Sequence, residues 1–180
     1  MIAGASDVVV GRLHRGELEA FQAGMPAWNA HEYEERLALQ DRGLTVQLVA
    51  WIGDDPVGKA MVVFPGNPEW SESAYRESCP EIRDLAVDEG WVRRGIGTAL
   101  VAASEQAARA AGFDRIGLGV GLEGSYAAAR SLYERLGYRS AHGPFVSAAL
   151  LDRDDGSSFP VAGVCIYLVK DLAPERAQPS

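Results

Sequence analysis

Cysteine is nearly missing from this chain: its 180 residues hold two, Cys79 and Cys165. Two are too few for a disulfide framework or a cysteine metal knuckle, so each reads as a small, partly buried side chain. Histidine is as sparse, and His14, His31 and His142 share no ligand spacing, so no metal is implied. No apolar run approaches the roughly 20 residues that cross a bilayer. The opening MIAGASDVVVGR also lacks a basic segment followed by a long apolar one. The expectation is a cytoplasmic protein with no membrane partner. Basic charge is in short supply, with 17 Lys and Arg against 25 Asp and Glu, a formal net charge of −8. That balance disfavours nucleic acid and anionic membranes as partners and weakly favours cationic ones. Internal repeats and low-complexity blocks are absent too.

What is present suffices for one core. A chain of this length with 47% apolar residues reads as a single domain, taken as 1–173 with a flexible tail at 174–180. Helices are expected at Arg15 to Gln22 and from a capping arrangement at Asn29-Ala-His-Glu32 to near Gly43. The β-branched runs Val46 to Ile52 and Val57 to Phe64, parted by Gly-Asp-Asp-Pro, read as an antiparallel hairpin. Glu81 to Val87 is a further strand, and irregular segments fall at Pro65 to Pro80 and Asp152 to Ser158. Ile96, Ala99, Leu100, Ala103, Ala107 and Ala110 mark one buried face of a helix that stops at Gly112. Then come a strand at Arg115 to Val120, a helix at Ser125 to Leu136 ended by Gly137, a short strand at Tyr138 to Ala141, and a last strand at Val161 to Val169. The order predicts an α/β (α+β) fold with a mixed central sheet flanked by helices.

The junction Val92-Arg-Arg-Gly-Ile-Gly-Thr-Ala lies between a strand and a helix. Amides from Arg93 to Thr98 lack helical partners, and with the positive end of the helix dipole they form a ready anion site. Gly95 and Gly97 let a phosphate approach the main chain, although a G-x-G of this kind also serves close packing. Two nucleotide motifs do not fit. A P-loop needs Gly-Lys before Ser or Thr, and a dinucleotide fingerprint needs a third glycine where Leu100 stands.

Leu85-Ala86-Val87, then Arg93-Arg94-Gly95-Ile96-Gly97, then Ala129-x-x-Leu132-Tyr133-Glu-x-Leu-Gly137-Tyr138 together resemble the GNAT superfamily of N-acetyltransferases. The resemblance covers residues 81 to 138, and more loosely the hairpin at 45 to 64. It implies a mostly antiparallel sheet in which two neighbouring strands, Glu81 to Val87 and Arg115 to Val120, splay apart. In the gap the pantetheine arm of acetyl-coenzyme A would pair with Leu85, Ala86 and Val87, and the amides of Arg93, Arg94, Gly95, Ile96, Gly97 and Thr98 would hold the pyrophosphate. The reaction implied is direct attack of an amine on the acetyl thioester. Tyr133 matches the tyrosine that protonates the departing thiolate, while its helical spacing alone makes it a core aromatic. Glu81 stands where some members place a catalytic base; a bulge in the strand would bring Asp84 forward instead, and strand alternation puts Glu81 with Arg83, Leu85 and Val87. This chain departs from the family in having Val92 where Gln or Arg is usual, and Tyr126 in place of a common Asn.

The acceptor implied is a small-molecule amine, and a homodimer is the assembly common in the family. Trp28, Tyr33, Trp70 and Tyr75, with Glu32, Glu34, Glu35, Glu69, Glu72 and Glu77, suit a cationic amine if they face a common site, and are solvated surface if they do not. A non-catalytic domain that binds or senses acyl-coenzyme A is the alternative reading.

Overall fold

The structure, a computed structural model, describes residues 8–25, 30–68, 70, 72–152 and 158–172. Its strands are β1 (Val8–Arg12), β2 (Thr45–Ile52), β3 (Asp55–Val63), β4 (Glu81–Val87), β5 (Arg115–Gly121), β6 (Arg139–Asp152) and β7 (Ser158–Asp171). Its helices are α1 (Leu18–Gly24), α2 (Ala30–Asp41), α3 (Glu72–Glu77), α4 (Ile96–Ala110) and α5 (Ala127–Arg135). The strands form one seven-stranded sheet in the order β1-β2-β3-β4-β5-β7-β6. Every neighbouring pair is antiparallel except β4 and β5. The mixed, mostly antiparallel sheet flanked by helices is the expected one.

Period-2 alternation divides the side chains between two faces. Leu48, Ala50, Ile82, Ile116, Leu118 and Leu168 join Ile96, Leu100 and Ala108 of α4 and Tyr133 of α5 in the larger buried cluster. On the opposite face Val49 meets Leu18 and Phe21 of α1 and Tyr33 and Leu37 of α2 in a smaller one.

Three elements differ from the sequence reading. β1 is an added edge strand; the segment 65–80, expected to be irregular, contains α3; and β6 runs for 14 residues rather than the four of Tyr138 to Ala141. Gly143-Pro144 and small residues hide its alternation, and its register also shifts between Ser140 and His142 and between His142 and Phe145. Asn29, and with it the expected cap, lies outside the described residues, as do residues 174–180, the expected tail.

Candidate active site

The feature that organises the site is a failure of pairing. β4 and β5 are matched only at Glu81↔Gly117 and Ile82↔Leu118, whereas on its other edge β4 pairs with β3 as far as Val87. From Arg83 onward the two parallel strands therefore separate, leaving one edge of Leu85, Ala86 and Val87 without a strand beside it. A buried backbone edge needs partners, and an extended amide-bearing ligand supplies them.

β4 bends where it leaves β5. Its register against β3 shifts between Lys59 and Met61, and Asp84 takes a left-handed φ of 51°, a conformation aspartate tolerates better than most residues. The bulge corrects the expected alternation. Ile82, Leu85 and Val87 all belong to the α4 side, while Asp84 turns to the α2 side, where it pairs with Arg36 at 2.5 Å. Burial pushes the Asp84 carboxyl up, but the charge and hydrogen bond of Arg36, helped by Lys59 and Arg83, outweigh it and hold the group below its usual range. Lys59 is shifted down by burial, against the pull of Asp84.

Between the separated strands lies a cleft of about 370 Å³ lined by Glu81, Arg83, Asp84, Leu85, Gly119, Tyr126, Tyr133, Phe145, Ser147 and Cys165 among others. It brings Glu81 from the sheet and Tyr133 from α5 into one enclosure. Tyr133 is 7% exposed, packs edge-on against Tyr138 with ring centroids 5.9 Å apart, and is pushed by burial up to about 12. Its proton is therefore held throughout the neutral range. Glu81 is 5% exposed, and its Oε1 lies over Gly119, 3.9 Å from where a Cβ would stand.

The anion site sits at the head of α4. Gly95 caps the helix in the left-handed region at φ 84°, the Ala99 amide closes the first helical bond on the Gly95 carbonyl at 3.0 Å, and among the described residues no carbonyl accepts from the amides of Arg93 to Thr98. These free donors fit a diphosphate. Arg94 lies over the Trp91 ring at 4.6 Å, while Arg93 is exposed. Gly97 has a second purpose: a Cβ there would stand 3.2 Å from Cδ2 of Leu132, so its missing side chain also lets α5 approach α4.

The expected aromatic and acidic acceptor surface is mostly not one. Tyr33 is buried at 2%, with Arg36 and Lys59 each 5.4 Å from its ring centre. Trp70 donates to the Cys79 carbonyl. Glu34 pairs with Arg15, Glu32 with Arg36 and Glu77 with Arg115. Trp28 and Glu69, and the side chains of Glu72 and Tyr75, lie outside the described residues. The sequence reading missed Phe145, Ser147, Cys165 and Gly119 as cleft residues. One signal for them existed: Gly117-x-Gly119-x-Gly121 strips one face of a strand of side chains, which leaves room for others.

Residues 12–138 match the model of the acetyltransferase (GNAT) family. The chain belongs to that family. It is accordingly an acyltransferase of the N-acetyltransferase kind, and the family uses acetyl-coenzyme A as donor and acts on amines of small molecules or proteins. The fold agrees. A ribosomal-protein-alanine N-acetyltransferase from Brucella melitensis superposes with a TM-score of 0.66 at 19% identity, over 91% of this chain and 99% of that one. An N-acetyltransferase from Staphylococcus aureus Mu50 gives 0.65 at 16%, over 92% and 98%. A GNAT acetyltransferase from Elizabethkingia anophelis with acetyl-CoA bound gives 0.58 at 15%, over 92% and 99%. No curated protein matches the sequence significantly. No described helix is long and apolar enough to cross a membrane.

Proposed function

We propose that this acetyltransferase acetylates a primary amine of a small molecule by direct attack, with Glu81 as base and Tyr133 as acid. One observation carries the reading: a carboxylate from β4 and a protonated phenol from α5 line the same cleft, which opens where β4 loses its neighbour. Acetyl-coenzyme A supplies an acetyl group activated as a thioester. The amides from Arg93 to Thr98 hold its diphosphate, and the free edge of Leu85, Ala86 and Val87 receives the pantetheine amides. Glu81 takes the proton that an ammonium must lose before it can attack, and Tyr133, which keeps its proton at neutral pH, gives one to the departing sulfur. A β4 amide near Ala86 donates to the carbonyl oxygen as it gains charge. Residues 1–173 act as one domain.

The acceptor enters beside Gly119, where a Cβ would still clear Phe145 by 3.7 Å and Glu81 by 3.9 Å. With Glu32, Glu34 and Glu77 engaged by arginines and Asp84 held by Arg36, attraction for a cation falls to Glu81 inside the cleft.

The test is a thiol-release screen with acetyl-coenzyme A against aminoglycosides, polyamines, amino acids and peptides, repeated with Glu81→Gln. Release that needs the amine, and drops by roughly 10²-fold or more in the variant, supports the reading. Coenzyme A that raises Tm without release for any amine would instead support a non-catalytic acyl-coenzyme A sensor.

A further inference from the structure

Tyr167 reaches the site from behind. It is 0% exposed, and its ring lies across β5 at Gly117, where a Cβ would stand 2.5 Å from the Tyr167 hydroxyl. On its other side His142 stacks on the ring, nearly parallel at 4° with centroids 5.6 Å apart. Glycine below and imidazole above thus hold the ring in one place. Gly117 is the residue of β5 paired with Glu81, so the hydroxyl arrives next to the first residues of β4, beside the Glu81 carboxylate and in contact with the Cys79 thiol, with Glu77 farther off.

Among the described residues no oxygen or nitrogen partners that hydroxyl. A buried hydroxyl without a partner costs free energy, and phenylalanine would fill the slot over Gly117 without that cost. The thiol does not explain it, since burial pushes Cys79 up to about 11 and leaves a neutral S–H at physiological pH, a weak partner. Glu81 is the neighbour that gains from a fixed proton donor.

We propose that Tyr167 is a positioning residue for Glu81, its hydroxyl donating through one water to the carboxylate and so keeping it ionised and aimed into the cleft. This rests on the reading of Glu81 as the base. Burial raises the Tyr167 pKa, so the donor stays protonated wherever the enzyme works. The groups facing the pair are Cys79 and Glu77, the latter held by Arg115 at 3.2 Å, His142 over the ring, and Arg83, Asp84, Tyr133 and Cys165 across the cleft. A donor to the charged form lowers a carboxyl pKa, so removing it raises that pKa.

The direct test needs no acceptor. In protein carrying ¹³C-labelled glutamate, with the Glu81 signal assigned by its loss in Glu81→Gln, the carboxyl is titrated in the wild type and in Tyr167→Phe. The expected result is a midpoint about 0.5 to 1.5 units higher in Tyr167→Phe, with Tm unchanged or raised. With an amine active in the screen, the acid limb of kcat/KM should move up by the same amount while coenzyme A affinity stays constant. An unmoved Glu81 midpoint overturns the proposal whatever the activity, and so does a large fall in Tm, which would reveal a structural partner for the hydroxyl. A moved midpoint in an enzyme for which Glu81→Gln is fully active upholds the coupling and overturns the base assignment instead.

Discussion

The two faces of the sheet are built on different physics. The α4 face is an apolar cluster closed by two amphipathic helices, and its working parts, the free amides at the head of α4 and the Tyr133 phenol, lie close in sequence to the elements that support them. The α2 face puts charge and hydroxyls against the sheet: Arg36, Lys59 and Asp84 around Tyr33, and Tyr167 beside Glu81. On the proposed reading the first face binds the cofactor and protonates the thiolate, and the second receives the acceptor and takes its proton. A substitution on the α4 face should therefore change cofactor binding or the acid step with a clean structural background, whereas one on the α2 face should disturb charge, acceptor and stability together.

The largest expected effect sharpens this division. Tyr133→Phe keeps the contact with Tyr138 and removes the acid, so kcat should fall roughly 10²- to 10⁴-fold with coenzyme A affinity and Tm unchanged. The sign of the pKa shift adds a check. A phenol held near 12 keeps its proton at all working pH values, so the alkaline side of the wild-type rate profile should show no ionisation from Tyr133 below about pH 10. Normal turnover in the phenylalanine variant would return Tyr133 to the core and leave the α4 face with binding alone.

Gly97→Val comes next and tests whether the anion site is independent of packing. If Gly97 served the phosphate alone, such a change would abolish coenzyme A binding and leave the fold intact. The 3.2 Å approach of Leu132 says otherwise: the added methyls meet α5 as well as the phosphate position, so affinity and Tm should both fall, Tm by an amount equivalent to about 1–3 kcal/mol. Trimming Leu132 to Ala in the same chain should restore part of the lost fit at α5 but none of the binding. Calorimetric titration with coenzyme A beside thermal melts separates the two. Smaller again is the contrast at the arginines. Arg93→Ala should weaken coenzyme A by about 1 kcal/mol and flatten its salt dependence, with Tm unmoved. Arg94→Ala should also lower Tm slightly, because Arg94 rests on Trp91.

The same division explains what could be read without the structure. The G-x-G junction, the 3.6-residue face of α4 and the Tyr133 helix are local patterns, and local patterns survive in a linear sequence. The splay is half legible: the family motif implies it and allows a bulge in the strand, yet no spacing rule places that bulge at Asp84 with φ 51°. Strict alternation then misplaces Leu85 and Val87 relative to Glu81. Tyr167 lies 86 positions after Glu81 in the chain and reaches it only because β7 sits next to β5 and Gly117 clears the way. The glutamates of α2 misled for the converse reason: they look like a surface for cations until Arg15 and Arg36 turn out to hold two of them.

The smallest effect probes the bulge itself. Asp84→Asn preserves the tolerance for a left-handed backbone and removes only the charge, so it isolates the ion pair with Arg36. The Arg36 side chain is 11% exposed and keeps Glu32, whereas Asp84 is 38% exposed; solvent screening therefore reduces the loss to about 1 kcal/mol, or a Tm lower by about 2–4 °C for a chain of this length. The pH dependence follows from the direction of the shift. A carboxyl whose folded pKa lies below its ordinary value contributes stability above that ordinary value and loses it as pH falls through the folded one. The gap in Tm between wild type and Asp84→Asn should thus be constant at neutral pH and shrink below about pH 4, closing once Asp84 is protonated in the folded state too. A gap that persists unchanged into acid would mean that asparagine disturbs the backbone of the bulge rather than its charge, and that the α2 face holds Asp84 for its conformation and not for Arg36.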